Sequence, residues 1–448
     1  MSTASPWPRL VAAGGAAVIS GWVTLADANA IPAFARRYET SCTTCHTAFP
    51  KLTPFGEAFR RNAYRFPGGG DATSEKQEPL ALGNDANKDL YPRAVWPGAL
   101  PGGLPVSIVA DGNVVVGPHA EQHAAAGGGH DDSVVTTGAA GHGSGGSPNL
   151  EGLGGHLMLR TAGTLGSLAA FFGGVDFGGH DGTTVERAVV VLTPLDPTVL
   201  HIRLGRFEPA LHGVSIHRGL LAHQLRLTTT TASLAPFQPE MSVNGAEFSG
   251  VVAGRLGWAV GAVESASGNI SWQKDAYLRL EGKLGGMRLD GLHAQATGSA
   301  WSERSLTLGT SFYRGVGHIL YKGAMVHEDA FWRGGVDVHA VVDDWQLDAV
   351  VARQHHTQPT LSPGAAGDLD LAYAELAWVP VASFIPLVRA EYSKFSTSDN
   401  PKPRWLASAA FIWVARPNLV FRLQADLGAE PGDHAGFRNA SFGFSTAF

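Results

Sequence analysis

Cys42 and Cys45 are the only cysteines of the chain, and His46 directly follows the second of them. Thiols three positions apart can form thioether bonds with the two vinyl groups of a haem, and the adjacent histidine then lies under the iron as its proximal ligand. Cys-x-x-Cys-His is accordingly the attachment signal for c-type haem. These residues predict one covalently bound haem c, with the His46 imidazole on the iron.

Two other kinds of site use the same residue types. A thioredoxin-like dithiol would require a βαβ context, which the neighbouring sequence does not show, and it would not require His46. A zinc site would require additional Cys or His ligands, and no others occur between residues 31 and 118. Haem attachment is therefore the preferred interpretation.

The residues after the motif indicate a short helix that could cover a haem. Thr53 can cap the N-terminus of a helix, and Pro54 suits its first turn. Four apolar side chains recur nearby at helical spacing: Phe49, Leu52, Phe55 and Phe59. Three basic residues follow, which could contact haem propionates or anionic lipid, or form an ordinary basic helix end: Arg60, Arg61 and Arg65. We therefore expect a haem-binding segment over residues 31–70.

Residues 1–30 have the pattern of a secretory signal peptide. Arg9 precedes an apolar stretch, and Ala28, Asn29 and Ala30 form a small-x-small cleavage site. The alternative is a membrane anchor, but the apolar stretch is short for a span and rich in Gly and Ala. Export would place the cysteines in an oxidising compartment.

Residues 104–448 alternate between apolar and polar side chains with a period of two. Phe421 and Leu423 would share one face of a strand, and Arg422 would lie on the other. The last such strand ends at Phe448. A soluble β-protein shows the same alternation, but the signal peptide, the terminal Phe, the strand number and the absence of a later helical span favour a transmembrane barrel.

Short and long connections alternate along this region. The short turns include 164–167, 284–287 and 314–317, and the longer connections include 117–149, 208–242 and 298–303. Periplasmic turns and external loops alternate in this way, and the length corresponds to about 16–18 strands. We predict an all-β fold, a transmembrane antiparallel β-barrel with a short N-terminal α-helical haem-binding segment, joined by a linker at 71–103. A barrel this wide has room in its lumen.

The first long connection is rich in Gly and in potential metal ligands. It contains His119, His123, His130 and His142, together with two aspartates. Imidazoles and carboxylates suit a borderline divalent metal. The alternative is a solvated external loop whose histidines have no function.

The stretch "AIPAFARRYETSCTTCHTAFPKLTPFGEAFRRNAYRF", residues 30–66, resembles the N-terminus of the fused cytochrome–porins of the bacterial outer membrane. The best known of these are the iron-oxidising cytochromes of Fe(II)-oxidising bacteria. The PAFAR lead-in, CxxCH and the FPxLxxFGxxFR tail carry the resemblance. The barrel agrees with this family in kind and in length, and the His-rich connection is not part of the family pattern.

The resemblance implies that Cys42 and Cys45 hold the haem covalently and that His46 ligates its iron. It implies an electron-transfer protein of the ferrous iron:cytochrome c oxidoreductase type in the outer membrane. The expected partners are an extracellular donor such as Fe(II), a periplasmic carrier of the cytochrome or cupredoxin type, and outer-membrane lipid.

The sixth iron position, if a His or Met fills it, requires a residue of the barrel, because residues 31–118 hold no Met and no second His. Strand parity points five side chains of this kind into the lumen: His156, Met158, His201, His293 and His339. We favour the pair on the first of these strands, His156 and Met158. A vacant site, bound water or a weak ligand of another type is the alternative.

Two other functions agree with the sequence. One is a porin whose haem is structural or sensory, and the other is a barrel that captures metal through the His-rich connection. No Walker A, HExxH or nucleophile-elbow motif indicates other chemistry. The formal net charge of −6 argues against nucleic-acid binding.

Overall fold

The computed structural model describes residues 33–38, 40–67, 106–117, 156–165, 168–179, 182–195, 198–221, 225–235, 237–239, 242–264, 274–292, 299–321, 324–362, 364–397, 402–429 and 435–447. The predicted signal peptide, the whole of the predicted linker and nearly all of the His-rich connection, with its four histidines, lie outside these residues.

In its described residues, the N-terminal segment forms three short helices and a two-stranded sheet: α1 (Ala33–Arg37), α2 (Cys42–Cys45), β1 (His46–Ala48), β2 (Lys51–Leu52) and α3 (Pro54–Arg61). The predicted helix is therefore shorter than expected, because Phe49 lies in the β1–β2 turn and Leu52 lies in β2. Phe55 and Phe59 lie on α3. In the described part of the chain, no helix is both long and apolar enough to cross a membrane.

The strands of the barrel are β3 (Val106–Val116), β4 (His156–Leu165), β5 (Ala169–Gly179), β6 (Gly182–Leu192), β7 (His201–Phe207), β8 (Val243–Val252), β9 (Leu256–Glu264), β10 (Lys274–Gly285), β11 (Glu303–Tyr321), β12 (Ala324–Asp343), β13 (Trp345–His356), β14 (Gly367–Trp378), β15 (Phe384–Thr397), β16 (Lys402–Arg416), β17 (Leu419–Ala429) and β18 (Gly436–Ala447).

In the described residues, these sixteen strands close into one antiparallel barrel, in which β18 pairs with β3. The period-two alternation determines which side chains face out. On β10, Leu278 and Leu280 are 42% and 49% exposed, whereas Arg279 and Glu281 between and beside them are buried. Apolar side chains therefore face outward and polar ones inward, as in a membrane-spanning barrel. The predicted fold class is confirmed, at the lower end of the expected strand number.

Aromatic side chains lie near both ends of the apolar band on the outer face. Trp345 and Trp378 stack with ring centroids 5.5 Å apart beside the tight β12–β13 turn. Phe312 and Trp332 stack at 6.3 Å toward the opposite end. Two aromatic girdles that flank an apolar band are typical of outer-membrane barrels. We call the end with the β12–β13 turn the turn end of the barrel.

One predicted pair of connections is wrong. Residues 314–317, "RGVG", lie inside β11, and the described part of the predicted 298–303 loop lies at the turn end, where β11 begins. The glycine at 315 has a packing reason, since a Cβ there would be 2.5 Å from the carboxylate of Asp275 on the neighbouring strand. Gly315 makes room for an inward-facing acid and does not mark a turn.

The β7–β8 connection, which the sequence predicts as an external loop, folds into the lumen instead. We call it the inward connection. It contains a 3-10 helix (Ile216–Arg218) and α4 (Arg226–Thr229). Leu225 and Leu227 are buried against Leu369 and Leu371 of the inner wall. An apolar patch on the inner wall thus holds this connection, a contact that its loop-like sequence does not reveal.

Candidate haem-attachment site

The two cysteines lie on the single turn of α2. Ser41 caps this turn, with its Oγ accepting from the backbone N–H of Thr43 at 3.3 Å. Cys42 and Cys45 are free thiols. Burial raises the pKa of each thiol to about 12, so both are protonated in the docked segment at neutral pH.

The backbone fixes the orientation of the His46 ring. Its Nδ1 donates to the carbonyl oxygen of Pro50 at 3.3 Å. Because a carbonyl only accepts, this contact favours the tautomer with its proton on Nδ1, in which Nε2 has the lone pair that a metal binds. Burial lowers the pKa of His46 to about 4, which keeps the imidazole neutral. The ring of Phe49 packs against it, with the ring centroids 5.4 Å apart.

Thr53 ties the motif to α3. Its Oγ1 accepts from the N–H of Gly56 at 3.1 Å as the helix cap and donates to the carbonyl of Thr44 at 2.8 Å. Its N–H donates to the carbonyl of Cys45 at 2.9 Å. The predicted cap is therefore present, and it also fixes the position of α2 relative to α3.

Gly56 allows these two helices to make backbone contact. A Cβ at this position would overlap the carbonyl oxygen of Cys45. Only glycine fits so close an approach. The glycine of the FPxLxxFGxxFR tail thus has a physical role beside the cysteines.

A cluster of aromatic rings forms the core of the segment. Phe59 lies 5.1 Å from Phe34 in an edge contact, measured between ring centroids. Tyr38 lies 4.7 Å from Phe66 by the same measure. The cluster orders the segment around α1 and α3.

One further ring attaches this cluster to the barrel. Tyr64 stacks on Phe34 at 5.4 Å within the segment and on Phe172 of β5 at 5.7 Å. The aromatic core of the segment is therefore continuous with the inner wall.

Ion pairs hold the segment inside the barrel near the turn end. Lys51 Nζ lies 3.1 Å from Asp348 Oδ2 and 2.9 Å from Glu375 Oε1. Although burial opposes the charged form, these two carboxylates hold the pKa of Lys51 above its ordinary value. Arg61 pairs with Glu281 of β10.

The basic residues after the motif take part in helix stabilisation and docking. Arg60 pairs with Glu57 at 2.8 Å on the same helix. Arg65 Nη2 donates to the carbonyl of Ala169 at 2.7 Å. With Arg61 paired to the barrel wall, each of the three predicted basic residues has a protein partner within the described structure.

A cavity of about 260 Å³ lies between the segment, the inward connection and the barrel wall. Its lining includes Leu52, Tyr64, His201, His212 and His339. Among the described residues, the cysteines and the histidine of the motif do not line it. The attachment motif therefore does not border this cavity in the described structure.

The predicted candidates for the distal iron ligand lie in different surroundings in the structure. His156 begins β4, but its side chain is not among those described, and His293 lies outside the described residues. Met158 Sδ accepts from Arg160 Nη2 at 3.5 Å. His201 is buried on β7, and His339 Nδ1 lies 2.6 Å from Asp348 Oδ1.

Sequence reasoning missed the inward connection as part of the site. Its Arg218 Nε lies 3.3 Å from Glu57 Oε1 on α3, and its Leu220 shares a buried cluster with Ala48 of β1. The neighbouring Leu221 is buried as well. Two leucines close to an arginine occur in exposed and buried connections alike, so no local pattern marks this one as buried.

The closed barrel, the apolar outer band and the two aromatic girdles define the class of the protein. It is a porin-like outer-membrane β-barrel with a folded N-terminal segment docked in its lumen. Within the described residues, no group of three or more His, Cys, Asp or Glu side chains is arranged to hold a metal ion.

Comparisons with known proteins give structural neighbours only. No family model matches the chain, and no curated protein matches its sequence. A loop L8 deletion mutant of OmpT, an outer membrane protein of Vibrio cholerae, is 9% identical, with 77% of this chain and 99% of that chain covered and a TM-score of 0.49. An anion-selective porin from Comamonas acidovorans is 12% identical, with 77% and 98% covered and a TM-score of 0.49. The outer membrane channel DcaP of Acinetobacter baumannii is 10% identical, with 77% and 96% covered and a TM-score of 0.49.

Proposed function

We propose that this barrel carries electrons across the outer membrane through one haem c attached at Cys42 and Cys45 and ligated by His46. The observation that carries the proposal is the His46 ring, whose Nδ1–H is held by the Pro50 carbonyl at 3.3 Å, so that Nε2 is available to iron. The two free thiols on the adjacent helical turn complete the set of groups that a haem c requires.

When bound, the haem supplies a one-electron redox centre that could accept an electron from an extracellular donor such as Fe(II) and give it to a periplasmic carrier of the cytochrome or cupredoxin type. The residues of the chain position this centre. Thr53 and Gly56 fix α2 against α3, and Lys51 and Arg61 fix the segment to the barrel wall. The barrel supplies insertion into the membrane and low-dielectric insulation.

The first test is covalent attachment. Full-length protein run on a denaturing gel should stain for haem peroxidase activity, and Cys42→Ala or Cys45→Ala should weaken or abolish the stain. Thr44→Ala, which keeps both cysteines and His46, should retain it. Wild-type protein without haem would overturn the proposed function.

The second test concerns the donor. The oxidised holoprotein is mixed anaerobically with Fe(II) in a stopped-flow instrument, and the haem absorbance is followed. Reduction by Fe(II) supports iron oxidation. Reduction by dithionite but not by Fe(II) would retain the haem and overturn Fe(II) as the donor.

A second candidate is a porin whose haem is structural or sensory. It is favoured by the sixteen-strand barrel itself, since barrels of this size can enclose an aqueous channel. Liposome swelling separates the two functions. Wild-type protein that admits small sugars as fast as a variant lacking residues 31–70 would favour the porin, and slow swelling that the deletion accelerates would favour the electron carrier.

A further inference from the structure

We propose that His217, on the inward connection, is the distal ligand of the haem iron opposite His46. This inference rests on the proposed haem attachment at Cys42 and Cys45. His217 is not among the candidates from strand parity, because it belongs to a connection that its sequence predicts to lie outside the barrel.

The His217 ring is prepared for a metal in the same way as His46. Its Nδ1 lies 2.8 Å from Glu186 Oε1 on β6. An ionised carboxylate only accepts, so Nδ1 carries a proton, and in the neutral ring Nε2 keeps its lone pair. A histidine that ligates a metal usually donates its other ring N–H to a carboxylate or carbonyl.

The other ring nitrogen has no protein partner. His217 Nε2 is buried and makes no hydrogen bond within the described structure. A buried polar atom without a partner carries a free-energy cost, because it has lost its hydrogen bonds to water. A group bound at this nitrogen would remove that cost, and because the nitrogen offers a lone pair, a metal ion can be that group.

Two neighbours connect His217 to the attachment segment. Arg218, the next residue, lies 3.3 Å from Glu57 of α3. Arg160 Nη2 on β4 lies 3.7 Å from Glu186 Oε2, and α1 of the attachment segment contacts β4. His217 is therefore joined to the attachment segment through charged side chains of β4, β6 and α3.

Glu186 has a positioning role in this arrangement. Arg187 Nη2 holds its Oε1 at 3.3 Å, and Arg160 is near its Oε2. These cations keep the carboxylate in place beside the His217 ring. A carboxylate on Nδ1 increases the basicity of the ligating nitrogen.

His212, on the same connection, shows the opposite arrangement. Its Nδ1 is also buried without a hydrogen-bond partner in the described structure. Arg333 Nη2 lies 3.1 Å from its Nε2, and a guanidinium only donates. The lone pair of His212 is therefore already used, and its unpartnered nitrogen carries the proton, so this ring is not prepared for a metal.

Two rival ligands on the barrel wall also differ from His217. His339 has its Nδ1 on a carboxylate, but its side chain is 34% exposed and its Asp348 partner is shared with Lys51. Met158 already accepts a hydrogen bond from Arg160 through its sulfur. Both therefore serve as matched comparisons.

The test uses full-length holoprotein and reads the spin state of the ferric haem by electron paramagnetic resonance and absorbance. Wild type should be low-spin. His217→Ala should lose the low-spin signal and gain a high-spin one, and added imidazole should restore the low-spin signal. His339→Ala and Met158→Ala should remain like wild type. Glu186→Gln, which keeps the ring and removes the charge, should shift the reduction potential to a more positive value.

The contrary outcomes are distinct. A high-spin wild type, or a His217→Ala variant that remains low-spin, would overturn the distal assignment while haem staining leaves the proposed function in place. Wild type without covalent haem would overturn both. Heat-modifiable gel migration and haem staining of His217→Ala show that the barrel is folded and loaded, so a spin-state change is read on intact protein.

Discussion

At Gly56, one added methyl group would directly displace the attachment motif. A Cβ there would overlap the Cys45 carbonyl oxygen, so Gly56→Ala must separate α2 from α3. Overpacking of this kind costs about 1–3 kcal/mol. We predict a lower yield of covalent haem per barrel, measured by haem staining against total protein.

Gly436→Ala is the matched control, because a Cβ at that glycine meets nothing within 4 Å. It should leave the haem yield unchanged. Equal yields in both variants would show that the contact between α2 and α3 is not required for attachment.

Single residues of the motif are predictable from the sequence, but their distant neighbours are not. Local spacing is enough to single out Cys42, Cys45 and His46, and it is enough for the cap at Thr53. Glu186, which holds the proposed distal ligand, lies on a strand far from the motif in the chain, and only the closed barrel brings it near. Contacts between distant strands leave no local pattern.

Among the elements, the docking of the N-terminal segment depends strongly on Lys51. Lys51→Met would remove the cation that Asp348 and Glu375 share, so the segment would lose two ion pairs with the barrel wall, although Asp348 would still contact His339 and Glu375 would still contact Arg389. We predict faster hydrogen exchange across residues 40–67, measured by mass spectrometry. Arg304→Met is the control, since the Arg304–Asp343 pair is exposed on the surface; it should not change the exchange. Unchanged exchange in Lys51→Met would exclude the pair as a docking contact.

The pH dependence of docking follows from Glu57 on α3. Burial opposes its charged form, but Arg60, Arg218 and Arg61 hold the pKa of Glu57 well below its ordinary value. A carboxylate with a lowered pKa contributes stability above its unfolded pKa of about 4.3, and the contribution is lost as the pH falls through the folded value. We predict constant protection of the segment from about pH 5 to 8 and weaker protection below about pH 4, measured by hydrogen exchange. Glu57→Gln should make that acid step smaller, and the carboxylates that pair with Lys51 and Arg61 account for the remainder. An identical acid response in this variant would assign the whole step to those other carboxylates.

The inward connection should control the width of the lumen. Leu227 is 1% exposed against the inner wall, and Leu227→Ala would weaken its attachment by about 2–5 kcal/mol. We predict a higher single-channel conductance in planar bilayers. Leu234, in the same connection and 41% exposed, supplies the control: Leu234→Ala should conduct like wild type. Equal conductance in both variants would show that the inward connection does not limit the channel.

Elements are predictable where the period of two runs without interruption. The prediction fails at "RGVG". Gly315 makes room for Asp275, but in the sequence it cannot be distinguished from a glycine that forms a turn. It also fails at the inward connection, whose burial depends on an apolar patch of the inner wall that belongs to another strand.

For the whole molecule, the strand order determines which connections share an end of the barrel. The β3–β4 connection lies at the end opposite the β4–β5 turn. We predict that protease added to intact cells cuts within 118–149 and leaves the 164–167 turn whole. Permeabilised cells are the control, in which both sites become accessible. Cutting at 164–167 alone in intact cells would invert the orientation.

The overall architecture can be predicted from the sequence. One alternating pattern, repeated in every strand of a closed sheet, indicates both the β-barrel fold and its location in a membrane. The segment that lies in the lumen cannot be predicted in this way, because its docking relies on single ion pairs such as Lys51 with Glu375. Such pairs join residues hundreds of positions apart.

The burial of Cys42 on α2 implies an order of maturation. The thiolate is the reactive form of cysteine, and burial raises the pKa of Cys42 to about 12 in the docked segment. Thioether formation at the Cys42 sulfur is therefore disfavoured once the segment lies inside the barrel, where this residue is only 8% exposed. For a chain that carries a haem, attachment in the periplasm must therefore precede closure of the barrel around the segment. We expect a strain that lacks the attachment machinery to export barrels that can no longer take up haem.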